Sequence, residues 1–148
     1  MKKVFFFCLA LLSLTTSLAA KSQPLNTKTL PAGTLVILET TEKIASDRAT
    51  VGKTLLFRVR ANVVVDGKTV IASGALAVGR VKSISRATYN HPEEITLEVL
   101  YAQAVDGQQV ALNGAEQTYR GTFPGESVIV EPAQTITATV MNNTDIHP

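Results

Sequence analysis

Beyond residue 29 the apolar side chains of this chain recur every second position, and that period restricts its fold more than any other feature. Leu55, Phe57, Val59, Ala61, Val63 and Val65 alternate with Leu56, Arg58, Arg60, Asn62, Val64 and Asp66. Ile95, Leu97, Val99 and Tyr101 alternate with Thr96, Glu98, Leu100 and Ala102, and Ile136, Ala138 and Val140 with threonines. Successive side chains of an extended strand point to opposite faces, so each run offers one apolar row to a core. No window of a dozen residues carries the competing stripe of a helix. The chain reads as all-β.

Punctuation supports the strands. Val63–Val70 and Ala104–Val110 each place Asp-Gly between strand-like runs, at Asp66-Gly67 and Asp106-Gly107. A two-residue hairpin needs positive φ at both central positions, which Asp tolerates and Gly adopts freely, so both are expected to be such hairpins. Leu30–Leu35, Ile71–Leu76 and Glu131–Ile136 share one shape, a small-residue turn leading into a strand. A sheet would use such a device at its corners. The runs predict about seven or eight strands, near 36–46, 54–65, 68–72, 75–86, 94–105, 108–119, 127–130 and 134–141. That number implies a small antiparallel β-barrel or a sandwich, and the barrel is preferred because closure removes exposed edges.

The first twenty residues have a different logic. Lys2 and Lys3 precede an apolar run from Val4 to Leu14, and a polar stretch of small residues follows. The run is shorter than the roughly 20 residues that span a bilayer, and the arrangement is that of a secretory signal peptide. Small side chains at Ser17 and Ala19 suit cleavage after Ala19, with Ala20 the near alternative. Cys8 lies inside the apolar run, not at the cleavage site, so no lipid anchor is expected. The chain thus divides into a signal peptide (1–20), a flexible lead-in (21–29), one β-domain (30–141) and a tail (142–148). An exported location follows, periplasmic or secreted, with no transmembrane segment once the signal is removed.

Export also changes the charge argument. The chain carries 14 Lys and Arg against 12 Asp and Glu. Without Lys2 and Lys3 the mature part is formally neutral, which gives no support for a nucleic-acid partner. Cys8 is the only cysteine, so the mature part has no thiol for a disulfide, a thiolate metal site or a nucleophile. About 125 residues remain, enough for one core.

A search for chemistry finds little. His91 stands in the polar turn Asn90–Glu94 and His147 in the tail, and each reads as a solvated side chain. Glu93 and Glu94 are adjacent, so on an extended chain they point apart. Asp66 and Asp106 are explained by their turns. No phosphate loop or nucleophile elbow is present. No catalytic residue, metal ligand or cofactor is therefore assigned, although a carboxylate pair such as Glu98 with Glu116, or a degenerate hydrolase using Glu98 or His91, stays open. Aromatic residues make up 5% of the chain and tryptophan is missing, so stacking platforms for sugars or bases are not expected. The candidate binding residues are basic. Arg58 and Arg60 share one face of a strand, as do Arg80 and Lys82, and together they would form a stripe for an anionic envelope component or protein partner. Phe123, an aromatic in the loop Gly121–Gly125, is the second candidate.

One set of residues suggests a relationship. Leu30-Pro31-Ala32-Gly33-Thr34, Ile44-Ala45-Ser46-Asp47, Val51-Gly52-Lys53, the Val63–Ile71 hairpin and Ser73-Gly74-Ala75 before Gly79-Arg80-Val81 resemble a recurrent secreted bacterial β-domain. That domain opens with a Pro-x-Gly-Thr strand, and many of its members have no assigned function. The same order of features is more distantly similar to the C-terminal β-barrel of the outer-membrane channel component of conjugation-type secretion machines. The resemblance implies a barrel. With so little catalytic inventory, the leading reading is a non-catalytic exported domain that binds or scaffolds another envelope component, and an accessory component of a conjugation-type secretion system is a separate alternative.

Overall fold

The computed structural model describes residues 26–114 and 116–148; the expected signal segment with Cys8, Ala19 and Ala20 lies outside them. In chain order the strands are β1 (Lys28–Leu30), β2 (Leu35–Thr40), β3 (Ile44–Ala45), β4 (Thr54–Val59), β5 (Val63–Val65), β6 (Lys68–Ile71), β7 (Leu76–Ser85), β8 (Glu94–Gln103), β9 (Gln109–Asn113), β10 (Glu116–Arg120), β11 (Ile129–Val130), β12 (Thr135–Val140) and β13 (Thr144–Ile146). Six of them close an antiparallel barrel in the order β8-β7-β4-β2-β12-β9, with β9 returning to β8. β10 is an extra strand on β8. The chain is thus an all-β small barrel. No helix among the described residues is long and apolar enough to cross a membrane.

Alternation builds the interior. β4 buries Leu55, Phe57 and Val59 and exposes the residues between them, and β2 and β12 repeat the pattern. Phe57 is 1% exposed, and Leu38, Leu97 and Val81 are fully enclosed. Each large apolar side chain so placed contributes roughly 1.5–3 kcal/mol, and together they fill the barrel. One end is closed by the β5–β6 hairpin and the β1–β13 pair, which bury Val70, Leu30 and Ile146. The other is closed by the short β3–β11 pair with Ile44, Val128 and Val130.

The corner device appears at the start of β2, β7 and β12. Gly33, Gly74 and Ala133 all have positive φ. Each donates its backbone N–H to the last residue of the neighbouring strand, Val140, Val59 and Thr40 respectively. The third copy is shifted by one position from the expected alignment, so Ala133 takes the glycine's conformation.

Several expectations need correction. The Asp66-Gly67 hairpin has positive φ at both residues, but at Asp106-Gly107 only Gly107 does. There Ala104 N donates to Gln108 O, giving a three-residue loop in which the Asp106 carboxylate caps Gln108 N. The run 54–65 breaks after Val59 because Asn62 Oδ1 accepts from Ser73 N and turns the chain. The row Ile95-Leu97-Val99 does not continue to Tyr101: a bulge at Leu100 shifts the register, and Ala102 and Ala104 face inward instead. Bulges add the twist that closing a small barrel requires. Finally, the expected lead-in and tail are where β1 and β13 form, pairing Lys28 with Ile146 and Leu30 with Thr144.

Candidate functional site

Two segments cap the barrel at the β3–β11 end, 41–53 and 121–134. They are clamped to each other by Ser46, which is fully buried. Its Oγ accepts from Val128 N at 2.8 Å, and its own N–H donates to Val128 O at 2.9 Å. Beside this clamp Arg86 Nη1 donates to Ser46 O at 2.9 Å and meets Glu93 Oε1 at 2.6 Å. Glu93 is 5% exposed, so its charge is matched where it is buried. Glu94 points the other way and pairs with Arg120.

With Ile44, Ser46, Val128 and Val130 turned inward, the alternate positions face out. A groove of about 650 Å³ results, lined by Lys43, Asp47, Arg48, Lys53, Ser127 and Ile129 among others. A local turn, in which Ala49 N donates to Ala45 O, presents Arg48. Lys43 reaches Glu131 at 3.4 Å. Arg48 and Lys53 have no ion-pair partner among the described residues. The floor is part apolar, with Ile129 52% exposed. Two cations without an ion-pair partner among the described residues, Arg48 and Lys53, over a part-apolar floor suit an acidic group carried on a larger molecule. A smaller groove of about 260 Å³ lies alongside, between Tyr119–Thr122 and Glu126–Ile129. The Tyr119 hydroxyl is enclosed near it with no hydrogen-bond partner among the described residues, and burial raises its pKa above 10.0.

The residues singled out from sequence lie elsewhere. Arg80 Nε meets Glu98 Oε2 at 2.9 Å, and Lys82 Nζ is bonded to Glu116 Oε1. Arg58 sits opposite Glu39 on β2, and Arg60 Nη1 donates to Thr135 Oγ1. β4 and β7 are direct neighbours, and the β5–β6 hairpin does not lie between them as an intervening strand would. Their register sets Arg58 opposite Leu76 and Arg80 opposite Thr54. Arg58 and Arg80 are therefore offset by four positions, about 13 Å along the strand. The four cations do not form one row. Phe123 is 67% exposed in the 121–126 turn, where Glu126 Oε2 accepts from Thr122 N and Phe123 N. It lines neither groove.

Glu98 and Glu116 do meet, directly across β8 and β10, but on the outer face with a cation on each. His91 closes a small exposed turn with Thr88. His147 is not in a loose tail: its Nδ1 is 3.1 Å from Thr27 Oγ1, and its N–H donates to Asp106 Oδ2. No group of three metal-ligating side chains occurs among the described residues.

The chain matches no protein-family model and no curated protein. The groove was not singled out from the sequence. The signal was there in Lys43, Asp47, Arg48 and Lys53, a dense set of charges over a stretch without alternation. What could not be read locally was that residues 127–129 supply the opposite wall.

Proposed function

We propose that this chain is a non-catalytic, exported domain of the bacterial envelope that holds an acidic group of another envelope component in the Lys43/Arg48/Lys53 groove. The observation that carries the reading is the charge imbalance there: Arg48 and Lys53 line an open concavity without carboxylate partners among the described residues, whereas Arg80 and Lys82 are already matched. A barrel filled with side chains leaves recognition to the surface. The reading agrees with the signal-like N-terminus and with the resemblance to a secreted envelope domain. A hydrolase using Glu98 or His91 draws less support, since neither residue lines either of the two grooves described above.

The test is an NMR titration with inorganic tripolyphosphate at low salt. Amide shifts should concentrate at Lys43–Lys53 and Ser127–Ile129 and shrink steeply as salt rises. The Arg48→Glu/Lys53→Glu variant should lose them while keeping its fold, because exposed substitutions cost little. Shifts centred on Arg58 and Arg60 would transfer the site to the other face and refute the groove.

A further inference from the structure

Lys43 is the third cation of the groove, and the fold has already given it a partner. Ile129 lies opposite Ala45 and Val130 opposite Ile44, so one step further along this antiparallel register sets Glu131 opposite Lys43. Ile44 and Val130 are buried, and alternation leaves Ala45, Ile129, Lys43 and Glu131 on the outer face. Lys43 lines the groove, and Glu131 stands just outside it. Their side chains meet at 3.4 Å, both more than half exposed. Glu131 is mounted on a fixed post. Its carbonyl accepts from Thr40 Oγ1 at 2.9 Å, and the buried Thr40 hydroxyl accepts in turn from Gln134 N. Neither bond uses the Glu131 carboxylate, which is left to hold Lys43.

We propose that Glu131 sets the affinity of this groove, on the reading that it holds an acidic group, by competing with the bound anion for Lys43. An exposed ion pair is weak, because water screens it and two long side chains must be held in one geometry. A multiply charged anion seated by Arg48 and Lys53 offers the Lys43 ammonium more charge than one carboxylate does. Lys43 then leaves Glu131 and becomes the anion's third contact. Before the anion arrives, the pair neutralises one of three like charges gathered at the cap and eases their repulsion. Asp47, which does line the groove, acts in another way. Its carboxylate opposes a bound anion directly, with no cation in between.

The probe is inorganic tripolyphosphate at low salt, with binding followed by NMR. Glu131→Gln should tighten binding about threefold, the size of change that a weak surface pair allows. In a Lys43→Met background the same substitution should leave affinity nearly unchanged, since its effect passes through Lys43. Asp47→Asn should tighten binding in both backgrounds, because it acts on the anion itself. In the wild type the Glu131 carboxyl carbon resonance should move during the titration toward its position in Lys43→Met, a shift that a merely structural Glu131 would not show. Lys43, Asp47 and Glu131 are exposed, so these variants should keep the fold. Glu131→Gln also keeps the bond from Thr40, which goes to the main chain. A Glu131→Gln protein that binds no tighter than wild type, an equal gain in Lys43→Met, or an unmoved Glu131 resonance would each overturn the proposal and leave the groove in place. Absence of binding in wild type and Glu131→Gln alike would remove the groove as a site, and the proposal with it.

Discussion

Ala133 holds a φ of +64°, a conformation in which its Cβ crowds the following carbonyl. At the two equivalent corners the residue is glycine, with φ of +82° at Gly33 and +86° at Gly74. Ala133→Gly should therefore raise stability by about 0.5–1 kcal/mol, the left-handed strain outweighing the added freedom of the unfolded chain; chemical denaturation measures it. Gly79 is the opposite case. A Cβ there would lie 2.1 Å from Glu98 O and 2.9 Å from Phe57 Cε2, so β7 and β8 would have to part. Gly79→Ala should cost 3 kcal/mol or more, roughly the severe end for a single residue. Phe57→Ala should cost about 3–5 kcal/mol through the cavity it leaves. Combining the two gives no rescue, since the clash with the Glu98 carbonyl persists.

Among elements, β13 depends on a turn a long way off in sequence. Asp106 caps Gln108 N at 3.0 Å, and its other oxygen accepts from His147 N at 2.9 Å, while Gln108 Nε2 donates to Asp145 O. Partial desolvation works to raise the Asp106 pKa, but the amides of His147 and Gln108, the Gln108 side chain and the His147 charge outweigh it and hold it below 3.8. A carboxyl depressed on folding contributes stability above its unfolded value and loses it as pH falls through the folded one. Asp106→Ala should thus lower the melting temperature at about pH 5, and the gap should close as pH falls and the wild-type carboxylate is protonated. Hydrogen exchange at Thr144–Ile146 should quicken in the variant. Ile146 is fully buried, so Ile146→Ala should cost about 2–4 kcal/mol, where a residue of a loose tail would cost nothing measurable.

At the scale of the whole molecule, cohesion comes from one apolar core and long-range backbone pairing. β1 meets β13 across nearly the full described length, and Ser46 meets Val128. Cys8 is the only cysteine and falls in the expected signal segment. Reductant and chelator should therefore leave the melting temperature unchanged, and a large shift with either would reveal a crosslink or ion. Intact mass of the exported protein should give an N-terminus at Ala20 or Lys21 with no lipid attached. A retained Met1 would count against export processing.

Most of the barrel was legible in the sequence because its causes are local. A period of two specifies a strand with one buried face whatever the strand pairs with, and Asp66-Gly67 specifies its own turn through backbone sterics. The expected runs at 54–65 and 108–119 each contain a true strand for this reason, and each breaks where a partner distant in sequence intervenes. Asn62 bonds Ser73 and ends one run. β9 and β10 divide where β12 stops following. Closure of β9 on β8, the bulge at Leu100 and the β1–β13 pair are properties of the closed sheet, decided by the twist a six-stranded ring needs. The cationic groove belongs to this second kind. Its two walls are some eighty residues apart in sequence and meet only because Ser46 hydrogen-bonds to Val128.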